Sequence, residues 1–433
     1  MDSLERDRMS ESAALMDRAE ESLAGGVSSY ARTFDFPLSF ERGDGSRVVD
    51  VDGNEYVDYL QAWGAIVLGH SEEEINRAAS DALDEQDLFG MGTTEREVEL
   101  AEMIKDRVPS AERVLFGVTG SEVVARAIMV ARAATGRKKI IKFQGQYNGW
   151  YDPVATNHLD GTPGSKAPFG SGMLEAATDE TVVLPFNDLD AVEATIEEHE
   201  NEIAGIILEP VSHNMGCIPP TEGYLRGLRE LTDEHGIVLI FDEVVTGFRH
   251  DIGGVQRIED VTPDLTTMGK AVANGYPMSI LCGKAELMEQ FHTAGGDVSF
   301  GGTYNAHASS LAAAKETIEQ LESRQFHERA REKRDEICDG LEDILEDVGL
   351  DAHVSRYGTV FLTYFMDRQP QTHREIAQHH DDERYHEYRM TMLDRGVLMV
   401  PKPVRRNFLT DSHTDEDVRL TLEAAEDSFR EID

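Results

Sequence analysis

A single lysine, Lys270, stands among small and apolar neighbours in Asp264–Pro277 (DLTTMGKAVANGYP). Burial strips an ammonium of its hydration and favours the neutral amine, and neutral lysine is the nucleophile that attacks a carbonyl carbon to form a Schiff base. The same residue would also suit a packed stem whose charged head reaches water. Upstream, Ile237–Arg249 (IVLIFDEVVTGFR) runs a buried-strand pattern straight into Asp242 and Glu243. One stretch offers an amine, the other an acid. A third, Thr119-Gly120-Ser121, presents backbone N–H groups where a helix is expected to begin; such a turn can cradle a phosphate or simply cap the helix. Glu209 closes the apolar run 203–208 (IAGIIL).

The elements around these residues alternate. Short apolar runs at 113–118, 139–143, 181–185, 203–208 and 237–241 are separated by amphipathic segments. Continuous rather than alternating apolarity marks strands covered on both faces, hence a mainly parallel sheet between helical layers. The fold class expected is α/β. Residues 1–64 read as an N-terminal helix and a small antiparallel meander, 65–310 as the large α/β domain, and 311–433 as a smaller α+β domain. A helix is expected to open at the capping Thr94 with Val98, Ala101, Ile104 and Val108 on its inner face. Residues 144–180, rich in Gly and Pro, read as a long loop over a site, 306–348 as a long helical stretch and 353–365 as a strand. In open parallel sheets, ligands sit beyond the carboxyl ends of the strands, so Gly120-Ser121, Glu209, Asp242 and Lys270 should face one crevice. A phosphate cradle, an acid and a carbonyl-binding amine together suit a phosphorylated pyridine aldehyde.

Composition narrows the function classes. Among 433 residues, 41 basic side chains against 83 acidic ones give 41 − 83 = −42. That balance argues against a nucleic-acid partner. A lysine-poor surface with acids spread along the chain suits a high-salt cytoplasm, where ions screen self-repulsion, so halophily is expected. Cys217, Cys282 and Cys338 lack ligand-like spacing, so no metal or disulfide is expected. A charged N-terminus without an apolar segment predicts a soluble, cytoplasmic protein without membrane contact.

The segments AGGVSSYARTF (24–34), DGNEYVDYLQAWGAIVLGH (52–70), TGSE (119–122), YNGWYD (147–152), EPVSHNMGCIPP (209–220), LIFDEVVTGFR (239–249), TMGKAVANGYP (267–277) and GGTYNAH (301–307) span nearly the whole chain. Together they resemble the class III aminotransferases of the fold type I pyridoxal phosphate enzymes, and within them they are similar to the glutamate-1-semialdehyde aminomutases. The resemblance implies pyridoxal 5'-phosphate held by Lys270, which also moves the substrate's proton. It implies Asp242 on the pyridine nitrogen, Tyr147 and Val244 on the two ring faces, and Glu209 beside the cofactor. Gly120 and Ser121 would take the phosphate, joined by Thr303 from a second subunit, which makes the expected site a homodimer property.

For the substrate, the resemblance implies a carboxylate on Arg32 with Trp63 as a wall. Arg405 stands where the aminomutases carry an acid, Asn148 where they carry His, and Ala306-His307 where they carry Asn-Pro. An arginine in the pocket would repel a diamine and attract a carboxylate. The expectation is therefore an aminotransferase acting between an amino acid, β- or ω-amino acids included, and a 2-keto acid. Intramolecular amine exchange by an aminomutase is the alternative, and a non-catalytic cofactor-binding protein the third reading.

Overall fold

The apolar runs assemble into one large sheet, with two small sheets beside it. The computed structural model describes residues 9–34, 36–157, 165–401 and 405–432. Residues 1–8, 35, 158–164 of the expected loop, 402–404 and 433 lie outside them. Strands β1 (Phe40–Asp44), β2 (Arg47–Asp50) and β3 (Glu55–Asp58) form the expected antiparallel meander. The large sheet comprises β4 (Arg113–Gly117), β5 (Lys139–Phe143), β6 (Thr181–Leu184), β7 (Ile203–Leu208), β8 (Val238–Glu243), β9 (Leu265–Met268) and β10 (Ser279–Gly283), in the order β4-β10-β9-β8-β7-β5-β6. Every residue of β7 to β10 is buried, as strands covered on both faces require.

Strand β10 pairs antiparallel with both β4 and β9, whereas the other neighbours run parallel. Sequence reasoning passed over it, because its run SILCG follows the Lys270 loop with no helix between. The segment 353–365 is not one strand but a hairpin, β11 (His353–Tyr357) and β12 (Val360–Tyr364), turned at Gly358 with φ 53°. β13 (Val397–Leu398) adds in parallel to β3, tying the chain's two ends into one sheet, and β14 (Asn407–Phe408) pairs with β12.

The stretch 306–348 is two helices, Ala308–Ser323 and Phe326–Val348, parted at Gln325, whose φ of 52° breaks the helical path. Helix Glu73–Glu85, unread in the sequence, buries Ile75, Ala79 and Ala82 along one face. Thr94 does cap helix Glu95–Arg107, but the buried face carries Leu100 and Ile104, and Val98 stands 45% exposed. Among the described residues, no helix is long and apolar enough to cross a membrane.

Candidate active site

The carboxyl ends of the parallel strands open onto a cavity of about 310 Å³. Its lining includes Gly120, Ser121, Tyr147, Glu209, Asp242, Val244 and Lys270, so seven of the expected residues gather there from five separate chain segments.

Gly120 and Ser121 open helix Gly120–Thr135, whose N-cap Thr119 forms a reciprocal capping box with Glu122. The box leaves other first-turn N–H groups directed out of the helix end. A Cβ on Gly120 would meet both Val244 methyls at 3.0 Å, so glycine lets the helix end and the Val244 wall approach. Gly149 sits as closely on Ser121: a Cβ there would stand 2.6 Å from Ser121 Oγ.

Asp242 and Glu243 are consecutive on β8 and point to opposite faces. Asp242 faces the cavity and accepts from Asn148 Nδ2 at 2.9 Å, Thr267 Oγ1 at 3.2 Å and the Val244 N–H at 3.2 Å. Burial pushes its carboxyl up to about 6, against the Asn148 donor. Glu243 turns away and takes Thr246 Oγ1 and the Val255 N–H, a structural duty.

Lys270 follows β9 at a φ of 45°, a left-handed position that turns its side chain into the cavity. Burial pushes its amine down to about 7, helped by Arg406 and Arg249 and opposed by Glu209 and Asp242. Glu209 takes four donors: the N–H groups of Tyr147 (2.8 Å), His213 (2.9 Å) and Asn214 (3.1 Å), and Asn214 Nδ2 at 2.8 Å. The Tyr147 ring is tilted against Phe169, with centroids 5.9 Å apart.

Four expected residues lie elsewhere. Arg32 is exposed in the turn Tyr30–Arg32, and Trp63, partly buried in a left-handed turn, packs on the main core; neither lines the cavity. Thr303 is exposed and lines a separate hollow of about 570 Å³, outside its own chain's cavity. Arg405, expected at the substrate pocket, is buried with its Nη1 3.3 Å from Met215 Sδ and is not among the residues lining this cavity.

Sequence reasoning gave no site role to Asn148, Thr267, Lys142, Arg249 or Arg406. The polar residue beside Tyr147 was the available signal for Asn148; the others reach the site only through tertiary packing. Lys142, Arg249, Arg405 and Arg406 are all buried near Lys270; Lys142 and Lys270 feel both Glu209 and Asp242, Arg405 and Arg406 feel Glu209, and Arg249 meets only the like charges of Arg406 and Lys270. In a chain of net charge −42 this is a buried positive surplus. Bound anions would offset it. Asn148 Oδ1, buried without a hydrogen-bond partner, adds an acceptor with nothing to accept. Cation surplus, close-packed glycines, buried acid and depressed amine all fit pyridoxal 5'-phosphate.

The chain matches the family model described as aminotransferase class-III over residues 29–409. It is 39% identical to a glutamate-1-semialdehyde 2,1-aminomutase of Methanocaldococcus jannaschii, over 98% of this chain and 99% of that one. It is 38% identical to glutamate-1-semialdehyde 2,1-aminomutase 2 of Bacillus licheniformis, over 97% and 98% of the two chains. Among solved structures, an omega-transaminase from Sphaerobacter thermophilus superposes with a TM-score of 0.91 at 33% identity, covering 97% of each chain.

Proposed function

Since the chain belongs to the class-III aminotransferase family and has its fold type I architecture, we propose that it moves an amino group within glutamate-1-semialdehyde, as an aminomutase. The cofactor is pyridoxal 5'-phosphate, which when bound supplies an electron sink for the substrate carbanion. Lys270 is the residue that would hold the cofactor at its carbonyl carbon, and its Nζ is the group that would take and return the substrate proton. An amine held near neutrality suits both tasks. Asp242, fixed by Asn148 and Thr267, holds a proton on the ring nitrogen. Gly120 and Ser121 take the phosphate at the helix end, and Tyr147 and Val244 bound the ring.

The observation that carries the aminomutase reading over transamination is the likeness to aminomutases along nearly the whole chain. The sequence argument for transamination rested on Arg405 facing the pocket, and Arg405 does not line it. One observation still favours that second reading. Arg405 and Arg406 are a buried pair near Glu209, and no described carboxylate hydrogen-bonds to either. Thr303 outside its own cavity, with exposed Phe89 (66%), Met91 (88%) and Tyr304 (66%) near it, supports a homodimer in which the partner contributes Thr303.

The test is turnover of glutamate-1-semialdehyde without co-substrate. Formation of 5-aminolevulinate is expected; no product, together with keto-acid-dependent transfer from an amino donor, overturns the aminomutase reading. Arg405→Met separates the two further. Loss of a charge-assisted hydrogen bond, about 1.5–3 kcal/mol, would raise the KM of carboxylate acceptors in a transaminase.

A further inference from the structure

Lys142 lies on β5, fully buried, in the run Lys139–Phe143 (KIIKF). Its ammonium donates to three backbone carbonyls: Gln146 at 3.0 Å, Val154 at 3.0 Å and Thr156 at 2.6 Å. Burial pushes the amine down to about 7, against the pull of Glu209 and Asp242. Three carbonyl acceptors match the three N–H donors of the charged form, whereas a neutral amine has two and would turn its lone pair on the third carbonyl.

Those carbonyls belong to the two ends of one irregular segment, 144–157, which has neither helix nor named strand. Between its pinned ends the segment passes the cavity and makes three site contacts. The Tyr147 N–H donates to Glu209 at 2.8 Å, Asn148 Nδ2 to Asp242 at 2.9 Å, and the Trp150 N–H to Ser121 Oγ at 3.2 Å. Without secondary structure of its own, the segment relies on such side-chain anchors to fix its backbone. Lys142 closes it, beside the direct bonds from the Gly145 N–H to Asn157 O at 3.0 Å and Oδ1 at 3.3 Å.

We propose that Lys142 is a positioning residue for the cofactor's ring: its ammonium folds 144–157 back on itself, and so sets Tyr147 beside the ring and Asn148 against Asp242. The inference rests on the cofactor reading above. It differs from a lysine that merely stabilises the fold, because its loss should act through Asn148.

Lys142→Met keeps the stem and removes the donors. In the full-length protein without cofactor, hydrogen exchange should quicken within 144–157 and remain unchanged in β7 and β8. Pyridoxal 5'-phosphate should bind about tenfold or more weakly, the scale of lost hydrogen bonds to a charged group. Asn148→Ala alone should weaken binding severalfold, yet add less than about twofold on the Lys142→Met background, the signature of two groups acting on one path. Unchanged exchange in 144–157, or two fully multiplicative effects, overturns the proposal. If Lys142→Met does not fold, Lys142→Gln, uncharged but with two donors, carries the same comparison. Failure of the wild type to bind pyridoxal 5'-phosphate would sink the cofactor reading, while the exchange result still decides whether Lys142 holds the loop.

Discussion

Gly120→Ala is the substitution whose consequence follows most directly from the geometry. The added Cβ would stand 3.0 Å from Val244 Cγ1, 3.0 Å from Cγ2 and 3.7 Å from Cβ. Favourable carbon–carbon contact lies at about 3.5–4.0 Å, so both methyls are struck at once. Val244 has little means of escape. Its β-branched χ1 is stiff, and its N–H is tied to Asp242 Oδ1 at 3.2 Å. The helix end and the Val244 wall must therefore separate, and overpacking of this kind costs about 1–3 kcal/mol. Because those two elements are the proposed phosphate cradle and ring wall, the loss should fall on cofactor affinity, by about 5- to 150-fold. Titrating cofactor-free protein with pyridoxal 5'-phosphate, followed by absorbance, reads this directly. Gly120→Ala with Val244→Ala should recover most of the loss, since the double variant removes the struck methyls. A dissociation constant within about twofold of wild type, or no recovery in the double variant, would refute the reasoning.

Three further outcomes are expected. Borohydride reduction in the presence of cofactor should leave a covalent adduct on Lys270, seen by mass spectrometry and absent from Lys270→Ala; an adduct confined to another lysine would remove the assignment. With the amine at about 7, protonation blocks attack below that pH and the neutral form prevails above it. Adduct formation should therefore rise about tenfold per pH unit up to neutrality and level off above it, where an unperturbed lysine would keep rising toward pH 10. At −42, self-repulsion acts over a Debye length of about 30 Å at 0.01 M salt and about 3 Å at 1 M. The thermal midpoint should thus climb between millimolar and molar KCl, and equal midpoints would contradict halophily.

Much of the fold was readable because it depends on local pattern. The runs IAGIIL and IVLIF are apolar without alternation, which only strands covered on both faces require, and they are β7 and the body of β8. Thr119-Gly120-Ser121 announced the helix that opens at Gly120. The misses share a cause. Gln325 and Gly358 reverse the chain inside stretches whose hydrophobic pattern continues unbroken, and β10 sits beside strands far from it in sequence. Helix Glu73–Glu85 was legible from Ile75, Ala79 and Ala82 and went unread.

The chemistry of the site was in the sequence to the extent that chemistry is a matter of residue type next to strand end: an amine after β9, an acid at the end of β8, glycine at a helix start. Asp242 rather than the adjacent Glu243 was singled out by the strand-end rule and the resemblance, but that the two meet opposite faces of the sheet, one with Asn148 and one with Val255, only packing showed. The fate of the arginines was not in the sequence either. A guanidinium in a polar segment reads the same whether it ends in solvent, as Arg32 does, or behind a loop against a thioether, as Arg405 does. Lys142 looked like one more residue of an apolar strand, and its three carbonyl partners exist only once 144–157 has folded over it. Local spacing determined the elements and the reactive groups they carry. Long-range packing decided burial and partners, and burial and partners set what each charge can do.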